Sequence, residues 1–224
     1  MTEFADLVES VEPHPKRVSD YVAQHARRGD PADVLATMDR YAREERFLMN
    51  LGPDKGALVE ELFDRIPADA RILELGAYCG YSAVLFAARL GAGGSLVSLE
   101  VSEESVEASR ANVAHAGLSD RVEFRLGASG ESIPNLTGVF DLVFLDHWKD
   151  LYKQDLQAIE AKGLLAPGSL VVADNVGASF NPAEYLEYVR TCGRYDCEHR
   201  ESTIEYHTLP DAVEISVYRG QGGA

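Results

Sequence analysis

Two short segments carry side chains suited to chemistry. Asp146-His147-Trp148-Lys149-Asp150 and Ala173-Asp174-Asn175 each close a short apolar run, residues 142–146 and 170–174. Asp146, Asp174 and Asn175 offer two carboxylates and one amide carbonyl, an all-oxygen donor set. Hard oxygen donors suit magnesium, which takes near-octahedral geometry and keeps places for water or substrate. The plain alternative is that each acid caps a following helix or loop. Three such residues at two neighbouring strand ends favour the metal. The single tryptophan, Trp148, could wall an aromatic acceptor or pack in the core. Lys149 could act as a base or sit solvated, and His147 could pack against a flat base or against the core.

A second group lies earlier. Leu73-Glu74-Leu75-Gly76-Ala77-Tyr78-Cys79-Gly80-Tyr81-Ser82 follows an apolar run and opens helical sequence. Gly76 lets backbone approach a ligand without a Cβ in the way. Ser82 stands near a helix N-terminus, where an anionic group such as a carboxylate is favoured. The alternative is a tight strand-to-helix turn with no ligand. The glycine spacing is not the G-x-G-x-x-G of dinucleotide enzymes, which argues against a nicotinamide dehydrogenase. Glu100 ends the next apolar run, 24 residues after Gly76. There it can accept hydrogen bonds from both hydroxyls of a ribose, or simply serve the start of the helix before Ser102. Together Gly76 and Glu100 point to an adenosine cofactor without saying which.

These residues must be positioned by an alternating scaffold. Residues 15–26 are amphipathic. Asp30-Pro31 reads as an N-cap with proline at the first helical position, opening a helix to about Phe47, and 55–66 makes a third helix. Strands are expected at 71–75, 96–100, 122–126, 142–146 and 170–174, with helices at 81–90 and 103–116 between them. Val-, Ile- and Leu-rich strands alternating with helices imply a parallel sheet covered on both faces. Residues 195–206 and 213–218 lack a helix between them and read as an antiparallel hairpin closing the sheet. Ligands of such sheets bind beyond the carboxyl ends of the strands, where Glu74–Gly76, Glu100, Gly127–Ser129, Asp146 and Asp174–Asn175 all fall.

Composition narrows the function. With 224 residues and 46% hydrophobic content, the chain fits a single domain spanning 1–224. Residues 1–14 and 220–224 are expected to be loose, and 15–66 to form helices covering the active site. No apolar run is long enough to span a bilayer, and the N-terminal sequence has no signal-peptide pattern. Three cysteines with no zinc or disulfide spacing suit a reducing cytoplasm. Net charge is −16, from 37 acidic and 21 basic residues. That surface repels phosphate backbones and anionic lipids, so neither nucleic acid nor membrane is an expected partner. Oligomeric state is not readable.

From about residue 16 to 218 the sequence resembles the catechol O-methyltransferase family. The resemblance runs in order through Asp30-Pro31, Met49-Asn50-Leu51-Gly52, Lys55-Gly56, LELGAYCGYSAV at 73–84, Gly127-Ala128-Ser129, VFLDHWKD at 143–150, Ala173-Asp174-Asn175 and Glu205-Tyr206. It implies a Rossmann-like methyltransferase fold with a seven-stranded mixed sheet. The implied reaction is magnesium-dependent methyl transfer from S-adenosylmethionine to one hydroxyl of a catechol. By the same resemblance, the Leu51 backbone and Ser82 would hold the methionine carboxylate, and Glu74 and Tyr78 would line that end. Glu100 would clasp the ribose, and Val101, Ser129 and His147 would surround the adenine, with Gly127 and Ala128 beside them. Asp146 would touch the methionine moiety as well as the metal, shared with Asp174 and Asn175. Lys149 would be the general base; Glu205 would bind the catechol hydroxyl that is not methylated; Met49 would lie near the transferring methyl.

The departures also matter. Val101 and Gly130 stand where animal members usually carry methionine and glutamine, so a weaker adenine contact is expected. Phe47 and Ser179 replace a tryptophan and a proline at the substrate mouth, so a more open acceptor pocket is expected. A bulkier vicinal-diol acceptor, or a non-catalytic S-adenosylmethionine-binding module, are the rival readings.

Overall fold

The computed structural model describes residues 14–220. The expectation of loose termini falls mostly outside them, but His14 is buried at the head of the first helix. That helix, α1 (Pro15–His25), begins with proline at its first turn. In α2 (Pro31–Glu44), Asp30 caps the N-terminus, its side chain accepting from the Asp33 N–H at 3.1 Å. This is the geometry expected of an Asp-Pro start. The helix stops at Glu44 rather than near Phe47. The third helix also differs from expectation: α3 (Gly52–Glu60) starts earlier and tightens into a 3₁₀ segment, Glu61–Arg65.

Seven strands form one sheet: β1 (Arg71–Leu75), β2 (Ser95–Glu100), β3 (Val122–Leu126), β4 (Leu142–Leu145), β5 (Leu170–Ala173), β6 (Tyr195–Thr203) and β7 (Pro210–Tyr218). Their order is β3-β2-β1-β4-β5-β7-β6. The first five run parallel, while β7 is antiparallel to β5 and β6. The seven-stranded mixed sheet with its C-terminal hairpin is therefore as expected. The remaining helices are α4 (Tyr81–Arg89), α5 (Glu103–His115), the single turn α6 (Ser129–Ser132), α7 (Tyr152–Ala161) and α8 (Ala183–Thr191).

Alternation along the strands builds two cores. Ile72 and Phe144 face one layer with Val18, Met38, Val59 and Phe86. Leu73, Leu75 and Val143 face the other, with Tyr152, Leu156, Ile159 and Tyr185. Successive strand residues point to opposite faces, so an unbroken apolar run such as Leu142–Leu145 serves both layers. The edge-to-face pair Phe86–Phe144, 5.1 Å between centroids, fixes α4 on the sheet. Strand order reverses between β1 and β4, and the crevice at such a switch point is where open α/β sheets bind ligands.

Candidate active site

At the end of β1 the chain makes a left-handed turn at Gly76, φ +98°. A Cβ there would lie 2.5 Å from the Asp146 carbonyl oxygen, so only glycine lets these two strand ends touch. Gly80, also left-handed, sits at the N-cap of α4, and Ser82 lies in that helix's first turn, nearly buried. Glu74 is wholly buried, with Ser98 Oγ donating to it. Burial pushes its carboxyl up to about 7, against the Ser82 and Ser98 hydroxyls that hold it down.

Glu100 serves the start of the following helix, as its position allowed, and it also faces the cleft. Its Oε2 accepts from the Ala77 and Tyr78 N–H groups at 3.0 Å each, and its Oε1 from the Ser102 N–H at 2.9 Å. It thus ties the β1 turn to the start of α5 while lining the cleft beside it. That cleft has a volume of about 290 Å³. Leu51, Gly76, Tyr78, Ser82, Glu100, Val101, Gly127, Ala128, Ser129, Asp146 and His147 all line it; of the expected cofactor residues only Glu74 does not, being buried. Met49 and Trp148 also line it. From the N-terminal 15–66 segment, only Met49–Leu51 reach it.

Trp148 is 73% exposed and Val101 71%, so neither is a core residue. His147 instead is held from behind: its Nε2 lies 2.7 Å from the buried Asp155 carboxylate.

The polar centre lies next to the cleft. The parallel register pairs Leu145 with Ala173, and the Asp174 N–H donates to the Leu145 carbonyl at 2.9 Å. Both strands end one residue earlier than expected, which places Asp146 and Asp174 side by side just beyond the last rung. Lys149 Nζ donates to Asp146 Oδ1 at 3.2 Å and lies 5.5 Å from the ring centres of Tyr152 and Phe180. Phe180 had no expected role, and it stands next to Ser179, where a more open mouth was expected.

Asp174, Asn175 and Glu205 are buried, and a residue absent from the expected set organises them. Lys55, 1% exposed, donates to Asp174 Oδ1 and Oδ2 at 2.7 and 2.9 Å and to Asp211 Oδ2 at 2.9 Å, and it forms an ion pair with Glu205. Among the described residues, Asp174, Glu205 and Asp211 have carboxylate oxygens within 4.8 Å of one another, and the Lys55 ammonium fills their midst. Burial works to lower the Lys55 pKa, but three carboxylates push it well above the usual value. Burial raises Asp174 to about 6, opposed by Lys55 and assisted by Asp146 and Asp211. Burial likewise raises Glu205 to about 8. A sequence signal for Lys55 existed. Gly52, Lys55, Gly56 and Val59 are the buried residues of α3, spaced as one helical face.

With this geometry in place, the chain's relatives identify its lineage. A family model described as a methyltransferase domain matches residues 73–176. The chain is 41% identical to bovine catechol O-methyltransferase over 93% of its own length and 78% of that protein's. It belongs to the catechol O-methyltransferase family. A probable O-methyltransferase of Mycobacterium tuberculosis is another relative, 41% identical over 90% of each chain. The family's fold is equally visible in the solved O-methyltransferase of Bacillus cereus in complex with SAH. That structure superposes with a TM-score of 0.71 at 23% identity, covering 91% of this chain and 97% of that one. Membership agrees with a cleft at the β1/β4 switch point and an acidic centre at the ends of β4 and β5. No described helix is long and apolar enough to cross a membrane.

Proposed function

We propose that this protein transfers a methyl group from S-adenosylmethionine to one hydroxyl of a catechol, with magnesium held by Asp146, Asp174 and Asn175. The observation that carries this is the β4/β5 register, which sets Asp146, on the cleft wall, beside the Asp174-Asn175 pair.

The residues fit both groups. Asn50 Nδ2 and His147 Nδ1 are buried polar atoms without hydrogen-bond partners among the described residues, and both residues line the cleft. Ser82 in the first turn of α4 suits the carboxylate of the methionine moiety, and Glu100 Oε1, which accepts from the Ser102 N–H, keeps a second lone pair for a ribose hydroxyl. The donor set on the other side is all oxygen, as magnesium prefers. Magnesium held there would supply Lewis-acid charge that favours ionisation of a phenol, and S-adenosylmethionine would supply an electrophilic methyl.

The chain's own work is positioning and proton transfer. A phenol ionises near pH ~10, so at neutral pH its proton must be taken. Lys149 Nζ, beside Asp146 and two aromatic rings, takes that proton in its neutral amine form, after first losing a proton to solvent. The phenolic oxygen then forms its bond to the methyl carbon as the sulfur–carbon bond breaks. Trp148 and Met49 wall the acceptor side, and Glu205, ion-paired with Lys55 beside Asp174, takes the second hydroxyl. Holding both reactants at attack distance is worth about 7–11 kcal/mol against a solution encounter. Three free cysteines suit a cytoplasmic setting.

The test is transfer of labelled methyl from S-adenosylmethionine to dihydroxybenzoate, with magnesium and then with excess chelator. Product that vanishes with chelator is expected. Product that persists removes the metal, and no product across a catechol panel removes the acceptor class.

A further inference from the structure

Asparagine coordinates a cation only through its carbonyl oxygen, yet the two ends of its amide have nearly the same shape. A neighbour that accepts hydrogen bonds but cannot donate them decides which end points where. Asp211, at the start of β7, is such a neighbour. Its Oδ2 accepts from Asn175 Nδ2 at 2.8 Å and from Lys55 Nζ at 2.9 Å, and its Oδ1 accepts from the Gly177 N–H at 3.1 Å. Both oxygens are engaged, so the carboxylate cannot rotate freely. The backbones are equally close: a Cβ on Gly177 would lie 2.5 Å from Asp211 Cα, and the Val176 N–H donates to the Ala212 carbonyl at 3.0 Å. Asn175 itself is left-handed, φ +53°, with its N–H on Asp174 Oδ1 at 2.7 Å.

Resting on the metal assignment above, we propose that Asp211 is a positioning residue for the magnesium site. It turns the Asn175 amide nitrogen away from the cation so that the carbonyl oxygen faces it, and Lys55 locks Asp211 and Asp174 in that arrangement. Outer partners of this kind hold the tautomer or rotamer of a metal ligand, and their loss typically costs about 10–100-fold in metal affinity.

The experiment measures Mn²⁺ affinity by electron paramagnetic resonance of the free ion, with S-adenosylhomocysteine saturating and no acceptor present. Asp211→Asn is nearly isosteric but offers a donor as well as an acceptor, which frees the Asn175 amide to flip. Its Mn²⁺ affinity is expected to fall about 10–100-fold while S-adenosylhomocysteine affinity stays at the wild-type value. The exchanged pair Asn175→Asp with Asp211→Asn keeps charge and shape and reverses the direction of the hydrogen bond, so it is expected to recover most of the lost Mn²⁺ affinity. A residue that only braced the fold would lower the melting temperature without this pattern. Wild-type Mn²⁺ affinity in Asp211→Asn overturns the proposal. Where that variant fails to fold, the exchanged pair carries the test, and Mn²⁺ binding by it no tighter than by Asn175→Ala overturns the proposal. A wild-type protein that binds no Mn²⁺ sinks the metal assignment itself and this proposal with it.

Discussion

Replacing Lys55 by methionine keeps length and volume but deletes the ammonium on which three buried carboxylates converge. The wild-type contacts are 2.7 and 2.9 Å to Asp174 and 2.9 Å to Asp211, with Glu205 as the third partner. All four side chains are within a few per cent of complete burial. Removing one partner of a buried pair strands the other and costs about 3–5 kcal/mol. For a chain of this size, each kcal/mol shifts the midpoint by about 2–4 °C, so a fall of roughly 6–20 °C is expected. The loss depends on pH in a definite direction. Asp174 and Glu205 are already raised to about 6 and about 8 by burial, and Lys55 is what opposes this. Without it both bind protons more tightly in the folded state, so Lys55→Met recovers stability as pH falls from 8 to 5. The assay is urea unfolding of wild type and variant across that range, in chelator so that no divalent ion substitutes. A variant within about 1 kcal/mol of wild type at pH 8 would refute the idea that this ammonium is the counter-charge of the centre.

Three further outcomes are expected. Gly76→Ala forces a Cβ to 2.5 Å from the Asp146 carbonyl at φ +98°; a cost of about 3 kcal/mol or more and loss of S-adenosylmethionine binding are expected, read by calorimetry. Buried Glu74, raised from 4.5 to about 7, favours the fold while protonated. That contribution is complete below the unfolded value and is lost as pH rises through about 7. Ligand-free protein should lose up to about 3 kcal/mol by this route, and Glu74→Gln should flatten the urea midpoint between pH 5 and 8. Trp148→Ala, at a position 73% exposed, should leave stability within about 0.5 kcal/mol yet raise KM for the acceptor roughly ten-fold; an unchanged KM would remove Trp148 from the acceptor wall.

Local pattern determined much of this molecule. Period-two and continuous apolar runs marked all seven strands, because side-chain direction along a strand follows from backbone geometry alone. Asp30-Pro31 started its helix because a cap and a proline act within one turn. The gathering of Gly76, Glu100, Asp146 and Asp174 at the carboxyl ends of the strands was legible, because the ends of apolar runs show where parallel strands stop. Trp148 left open a choice between core and surface that only the folded structure decided. Trp148 is out in the solvent at the cleft, and Lys149 is half sheltered between Tyr152 and Phe180. Tertiary structure alone decided the charge balance of the centre. Lys55 meets Asp174 across 119 residues and Asp211 across 156. Its spacing with Gly52, Gly56 and Val59 puts Lys55 on the packed face of its helix, but nothing within its own turn reports that three carboxylates from the end of β5 and the β6–β7 hairpin will close over it. Burial and pairing of charge depend on which distant segments arrive at one point, and that is a property of the folded chain rather than of any stretch of it.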